Sequence, residues 1–192
     1  MDVSSLTALD ELGCMTNNLT GINVSGLTSL KIIGCPYNRI TELDLSGLTS
    51  LEGLFCAGNS LTELNLSGAA ALRGLWCEFN ELSVLNLSGL TALKLLACTN
   101  NALIALDVSD LAALERFNCS DNQLTELDVS GLTALEILEC TNNQLSSLAL
   151  CPTARYTILR VYSNRFTDKS QITGFNLALW DTGDFIYSPQ NS

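Results

Sequence analysis

Hydrophobic positions recur along this chain in one fixed frame, L-x-x-L-x-C-x-x-N-x-L-T-x-L-x-L-S-G-L-T-x, which "LRGLWCEFNELSVLNLSGLTA" (72–92) follows with Ser83 alone in place of Thr. The frame is 21 residues long and never slips: cysteines stand at Cys14, Cys35, Cys56, Cys77, Cys98, Cys119 and Cys140. Asparagines follow three residues later, at Asn17, Asn38, Asn59, Asn80, Asn101, Asn122, Asn143 and Asn164. In the eighth copy the cysteine position holds Val161, so the column asks for a small hydrophobe. Within "LxxLxC", residues two apart share one face of a strand, which turns Leu75 and Cys77 inward and Trp76 outward. The rest of each copy is too short for a strand plus a full crossover helix. It is broken instead by an Asx-x-Ser-Gly turn, with Asp or Asn at positions 2, 23, 44, 65, 86, 107 and 128. Short polar side chains there cap local backbone amides.

About seven residues per copy point inward, in one copy Leu72, Leu75, Cys77, Leu82, Leu85, Leu87 and Leu90. A lone copy cannot bury them, so the copies must stack and fold as an array around a shared core. The pattern resembles the leucine-rich repeat, and within it the bacterial 21-residue, cysteine-containing type of internalin-like surface proteins. The resemblance covers residues 2 to about 166. It implies a right-handed solenoid: an α/β-class horseshoe with a parallel β-sheet on its concave face, mostly irregular or 3-10 return segments, and few or no α-helices. With strands about 4.8 Å apart, eight of them make a sheet roughly 35–40 Å long. We expect an array of about eight repeats over residues 1–166, and a C-terminal cap with the start of a linker over 167–192. The opening "DVSSLTAL" matches "DVSGLTAL" at 128–135, so the chain starts in mid-repeat. We read it as a fragment that lacks its N-terminal cap. The closing segment brings Phe175, Trp180, Phe185 and Tyr187, expected to lay aromatics over the last rung.

Composition narrows the function. Net charge is −11 and the nine basic residues form no cluster, which argues against nucleic acid and anionic membrane surfaces. No apolar run is long enough to span a bilayer. Histidine is absent, which removes the usual catalytic base and the commonest zinc ligand. We therefore expect no enzyme, no cofactor and no metal.

Seven of the eight cysteines fall in one inward column, side by side and pointing the same way. Disulfides need Cβ atoms about 3.8 Å apart and facing each other, so the column reads as a ladder of reduced, inert thiols. Cys151 lies off the ladder and is expected to be the more reactive. The asparagine column sits where each strand turns its corner and is expected to satisfy backbone groups of its own and the neighbouring rung. Asp107 and Asp128 belong to the turn-capping column. Glu42, Glu63 and Glu126 share an outward position on the return path, read as a solvated acidic face in preference to a weak calcium site.

Function is then left to the outward sheet positions, whose identity the fold does not dictate. Four of the five aromatics before residue 150 fall there, Tyr37, Phe55, Trp76 and Phe79, with Phe117 alone in a core column. With Ile32 and Leu95 they predict an apolar patch on the concave face, rimmed by Arg39, Glu78 and Glu81. Gly53 and Gly74, two residues before Phe55 and Trp76, leave room for the close approach of a partner's backbone. The competing expectation is that the rings stack on one another and protect the sheet. The reading is a non-enzymatic module that binds a protein or peptide, with glycan binding or a passive spacer as alternatives. The resemblance implies a surface or secreted location, a cytoplasmic one staying open. A monomer is expected.

Overall fold

The computed structural model describes residues 1–175, 185–187 and 190. Each copy forms one rung of a parallel β-solenoid. The frame's first half supplies three-residue strands: β1 (Glu11–Gly13), β2 (Ile32–Gly34), β4 (Gly53–Phe55), β6 (Gly74–Trp76), β7 (Leu95–Ala97), β8 (Arg116–Asn118), β10 (Ile137–Glu139) and β12 (Ile158–Arg160). They join in that order, all parallel and in register with the period, so Leu54 pairs with Leu75 and Leu75 with Leu96. A ninth strand, β14 (Phe185–Ile186), extends the sheet beyond β12.

The strands are short because the chain turns a left-handed corner two residues past each cysteine. Thr16, Tyr37, Gly58, Phe79, Asn100, Asp121, Asn142 and Ser163 all have φ between 53° and 65° there. The inward columns close the core: Ile33, Leu54, Leu75, Leu138 and Leu159 are fully buried, and Phe117 holds the same column in the sixth rung. On the return path the Asx turns form as expected, with Ser46, Ser88 and Ser130 each donating a backbone N–H to Asp44, Asn86 or Asp128 at 2.9–3.0 Å.

The return paths also carry strands. Those of β3 (Glu42–Asp44) and β5 (Glu63–Asn65) pair, and β9 (Glu126–Asp128), β11 (Ser147–Ala149) and β13 (Ile172–Thr173) make a second small sheet. Between them, the rungs at 82–86 and 103–107 form no strand. A single 3-10 turn spans Lys169–Gln171, and no α-helix occurs among the described residues. No helix of the described residues is long and apolar enough to cross a membrane.

At the first rung Val3, Leu9, Leu12 and Cys14 are only partly buried. At the other end the Tyr187 ring stacks on Phe166 at 6.2 Å, and Phe175 meets Tyr156 edge-on at 6.1 Å. Trp180 lies outside the described residues, as does the side chain of Phe185.

Candidate functional site

The asparagine and cysteine columns are absorbed by the fold. Asn80 shows the arrangement: its Nδ2 donates to the carbonyls of Cys56 and Cys77, both at 3.1 Å, and its Oδ1 accepts the N–H of Leu61 at 3.0 Å. The same bonds recur at Asn38, Asn59, Asn101, Asn122, Asn143 and Asn164. Each amide thus ties its own corner to the preceding rung. Asn17, in the first rung, bonds only to Cys14 and Met15.

All eight cysteines are free thiols. Burial pushes Cys35 up to about 12, with the Cys14 sulfur adding to the shift, and raises Cys56, Cys77 and Cys119 well above the ordinary thiol range. A thiolate is the nucleophile, so these groups are inert. Cys151, expected from the sequence to be the more reactive thiol, lies in a less accessible place than that role needs. It is buried, with its Sγ 3.3 Å from Thr153 Oγ1. Desolvation acts to raise it, but hydrogen bonds from Thr153 and Ala154 outweigh that and hold it below the usual value. Access limits its reactivity. The expected labelling pattern at pH 8 is one fast thiol, the half-buried Cys14, with the rest released only by denaturant. A thiol-specific chromophoric reagent counts them directly, and rapid labelling of several thiols in the folded protein would contradict the inert ladder.

The outward strand positions form an apolar surface outside the core with a defined shape. Phe55 and Trp76 lie directly opposite each other on β4 and β6 and stack face to face, ring centroids 4.2 Å apart and planes 11° from parallel. Ile32 and Leu95 flank the pair, and the four line a shallow cleft of about 340 Å³. Gly53 and Gly74 have a different role from the one the sequence suggested. The rings fold back over them: a Cβ at Gly74 would sit 2.4 Å from Trp76 Cζ3, and one at Gly53 would touch Phe55 Cε2 at 3.5 Å. The glycines admit the rings of their own strands, and the space foreseen for a partner's backbone is already filled.

Tyr37 and Phe79 do not join this cleft. Both occupy the left-handed corner, at φ 57° and 54°, a conformation that costs a bulky side chain about 1–3 kcal/mol. There they are the most exposed rings of the array, at 62% and 59%. Tyr37 leans over Gly58, where a Cβ would meet its Cδ1 at 2.7 Å. The predicted single patch is therefore two: a stacked pair on the strands and two separate rings along the corner.

The rim also differs. Arg39 and Glu81 are exposed at the corner. One carboxylate oxygen of Glu78 is buried without a hydrogen-bond partner, as is the hydroxyl of Thr99, which holds the same position one rung on. Desolvation raises Glu78 above the usual carboxylate range. The charges that border the stacked pair are Lys31, Glu52, Arg73 and Lys94, one position before each strand. Arg73 meets Glu52 at 3.8 Å and Lys94 meets Glu115 at 2.7 Å. Sequence reasoning passed over this column, although its period-21 run of charged residues of both signs was open to view.

A larger cleft, about 690 Å³, lies elsewhere, on the return path between Leu106 and Leu148. Two of its three carboxylates, Asp107 and Asp128, are engaged in turns, and Glu126 stands exposed on β9. Asp107 takes hydrogen bonds from the backbone and side chain of Ser109, which hold it below the ordinary carboxylate range. We therefore place the candidate site on the sheet face. No group of three or more potential metal ligands gathers among the described residues.

A sequence-family profile described as Leucine Rich repeats (2 copies) matches residues 112–152. A comparison with curated protein sequences finds no match. Several solved structures share the fold. InlJ of Listeria monocytogenes, whose functional domain includes a cysteine ladder, is 27% identical with a TM-score of 0.57, covering 91% of this chain and 54% of that one. A leucine-rich repeat protein of Leptospira interrogans is 23% identical with a TM-score of 0.67, covering 87% of this chain and 52% of its own. Internalin C2 of Listeria monocytogenes is 21% identical with a TM-score of 0.70, covering 98% and 83%. The chain thus spans about half the length of the first two.

Proposed function

We propose that this chain, a leucine-rich repeat protein similar in fold to bacterial internalins, is a non-enzymatic module that binds a protein or peptide partner across its long sheet. Leucine-rich repeat arrays of this kind serve in general as interaction surfaces, and a fold by itself names no partner. The observation that carries the reading is the Phe55–Trp76 stack. Two large rings lie on the outward face of a sheet whose core does not need them, between Ile32 and Leu95 and inside a charged border. Aromatic anchors within a polar rim are the usual arrangement of a binding hot spot. Tyr37 and Phe79 form a second contact along the corner, with Arg39, Glu78 and Glu81 beside them. Residues 1–166 act as the array and 167–192 as its C-terminal cap and the start of a linker. The likeness to internalins supports an extracellular or surface location.

Selection of a displayed peptide library on the immobilised protein tests this. Peptides enriched on the wild type are expected to lose at least tenfold in affinity on Trp76→Ala, while a broad oligosaccharide panel leaves Trp fluorescence unchanged. Enriched peptides that bind Trp76→Ala equally well would overturn the site. A response confined to oligosaccharides would make the module a glycan binder.

A further inference from the structure

We propose that the return path of the fourth and fifth rungs is a second docking surface, which takes an extended segment of a partner protein with alternating basic and apolar residues. It lies outside the sheet face and is independent of the reading given to Phe55 and Trp76.

The frame asks for polar residues here, and the chain departs from it. The column of Ile104 holds Thr20, Thr41, Thr62 and Thr125 in other copies, and that of Val84 holds Glu42, Glu63 and Glu126. The core gains nothing from the exchange, since Val84 and Ile104 are 71% and 61% exposed. Leu106 adds to them. Its counterparts Leu64, Leu85, Leu127 and Leu148 are at most 8% exposed, whereas Leu106 is only partly buried and lines the 690 Å³ cleft. A smaller cleft of about 70 Å³ lies on the other side of the same segment and shares Asp107 and Ser109 with it. The backbone favours an extended occupant. Return strands stop at β5 and resume at β9, and among the described residues no backbone hydrogen bond joins 83–86 or 104–107 to a neighbouring rung. Open backbone groups of this kind are what an added strand pairs with. An extended chain turns alternate side chains to opposite sides, so one set can cover the apolar strip while the other meets its border.

Charge selects that other set. The charged residues lining the two clefts are Asp107, Asp110, Glu126 and Asp128, and none is basic. Hydrogen bonds from Ser109 and Ser130 hold Asp107 and Asp128 below the ordinary carboxylate range, so both stay ionised. All five Lys and Arg residues before residue 150 lie beside the strands of the long sheet or at the corner after them. Lys169, beyond the Gln171 end of the larger cleft, sets its ammonium over the Tyr187 ring, 5.1 Å from the centroid. A second copy of this chain, at net −11, is repelled from such a border, and a basic segment is drawn to it.

The probe is acetyl-Lys-Ile-Lys-Ile-Lys-amide, titrated into 15N-labelled protein and followed through the backbone amides. Displacement of the amides of 104–107 and 126–128 is expected. Neither acetyl-Glu-Ile-Glu-Ile-Glu-amide nor acetyl-Lys-Ser-Lys-Ser-Lys-amide should reproduce it. The double variant Val84→Ser/Ile104→Thr removes the apolar strip with residues that the same columns hold at Ser147 and Thr125, so the fold is kept. Asp107→Asn/Glu126→Gln/Asp128→Asn removes the border charge and leaves side chains that cap the same turn at Asn65 and Asn86. Each variant should keep its thermal midpoint and weaken the probe at least tenfold, while Trp76→Ala binds it as the wild type does. The surface is overturned if either control peptide acts equally, if both variants bind as the wild type does, if Trp76→Ala weakens the probe, or if no peptide shifts 104–107. Excess probe present during library selection occupies the return path, so that the Trp76→Ala test reads the sheet face by itself.

Discussion

Asn122→Ala is expected to destabilise the folded array by about 2–6 kcal/mol, because it strands one buried backbone N–H and removes two further bonds to buried carbonyls. The amide of Asn122 donates to the carbonyls of Cys98 and Cys119 at 3.0 and 3.1 Å and accepts the N–H of Leu103 at 3.0 Å. Alanine returns none of these bonds: the Leu103 N–H is left unpaired at a cost of about 1–3 kcal/mol, while the carbonyls of Cys98 and Cys119 keep Asn101 and Asn143 as donors and lose about 0.5–1.5 kcal/mol each. Rungs five and six lose a tie between them together, so the damage should spread along the array. Equilibrium denaturation measures the loss. Hydrogen exchange should show the Leu103 amide opening first. Asn17→Ala is the internal control: its two bonds lie on an exposed first rung, and its cost should stay below about 1 kcal/mol. Equal effects at the two positions would mean that the asparagine column is not a backbone ladder.

Phe117→Ala should cost about 3–5 kcal/mol, the range for an aromatic removed from a closed core. Phe117 is 1% exposed and lies in register between Leu96 and Leu138, both buried leucines of the same column. Phe117→Leu restores the residue that the frame uses elsewhere and should cost less than about 1.5 kcal/mol. Thermal or chemical denaturation of the three proteins separates a cavity from a change of shape. An alanine variant as stable as the leucine variant would mean that the rung collapses onto the gap. Phe117 and Asn122 belong to one rung, so the double variant is not expected to be additive.

The architecture was open to reading because a solenoid translates sequence period directly into neighbourhood. Once Cys77 and Cys98 are one period apart, their strands must be adjacent, and the asparagines three residues later must line up at the corner. The thiols' inertness followed from the same step. What the period does not encode is the direction a side chain takes after it leaves the strand. Trp76 was assigned correctly to the outer face, yet its ring turns back over Gly74, so the glycine expected to admit a partner admits the tryptophan. Ring stacking, weighed as the competing expectation, occurs for Phe55 and Trp76.

Tyr37 and Phe79 were grouped with that pair because they are outward in sequence. Their backbone is left-handed, and this separates them from the strand face. A signal for it stood in the column: Gly58, Asn100, Asp121 and Asn142 are the residue types that tolerate positive φ. The return strands were missed for another reason. Glu42, Glu63 and Glu126 are exposed and poor β-formers, and their strands are held by inter-rung hydrogen bonds that propensity does not report. Where Val84 and Ala105 replace glutamate, no strand forms, and Val84 and Ile104 stay 71% and 61% exposed.

That exposed pair gives the most direct test of the central claim, that the Phe55–Trp76 face is the binding surface. The affinity of one selected peptide should be measured by calorimetry on the wild type, on Trp76→Ala and on Ile104→Ala. Both substitutions remove a large apolar side chain, one from the sheet face and one from the return path. A loss of at least tenfold at Trp76 with no change at Ile104 is the result predicted here. Unchanged affinity at Trp76 with a tenfold loss at Ile104 would move the site to the other side of the solenoid.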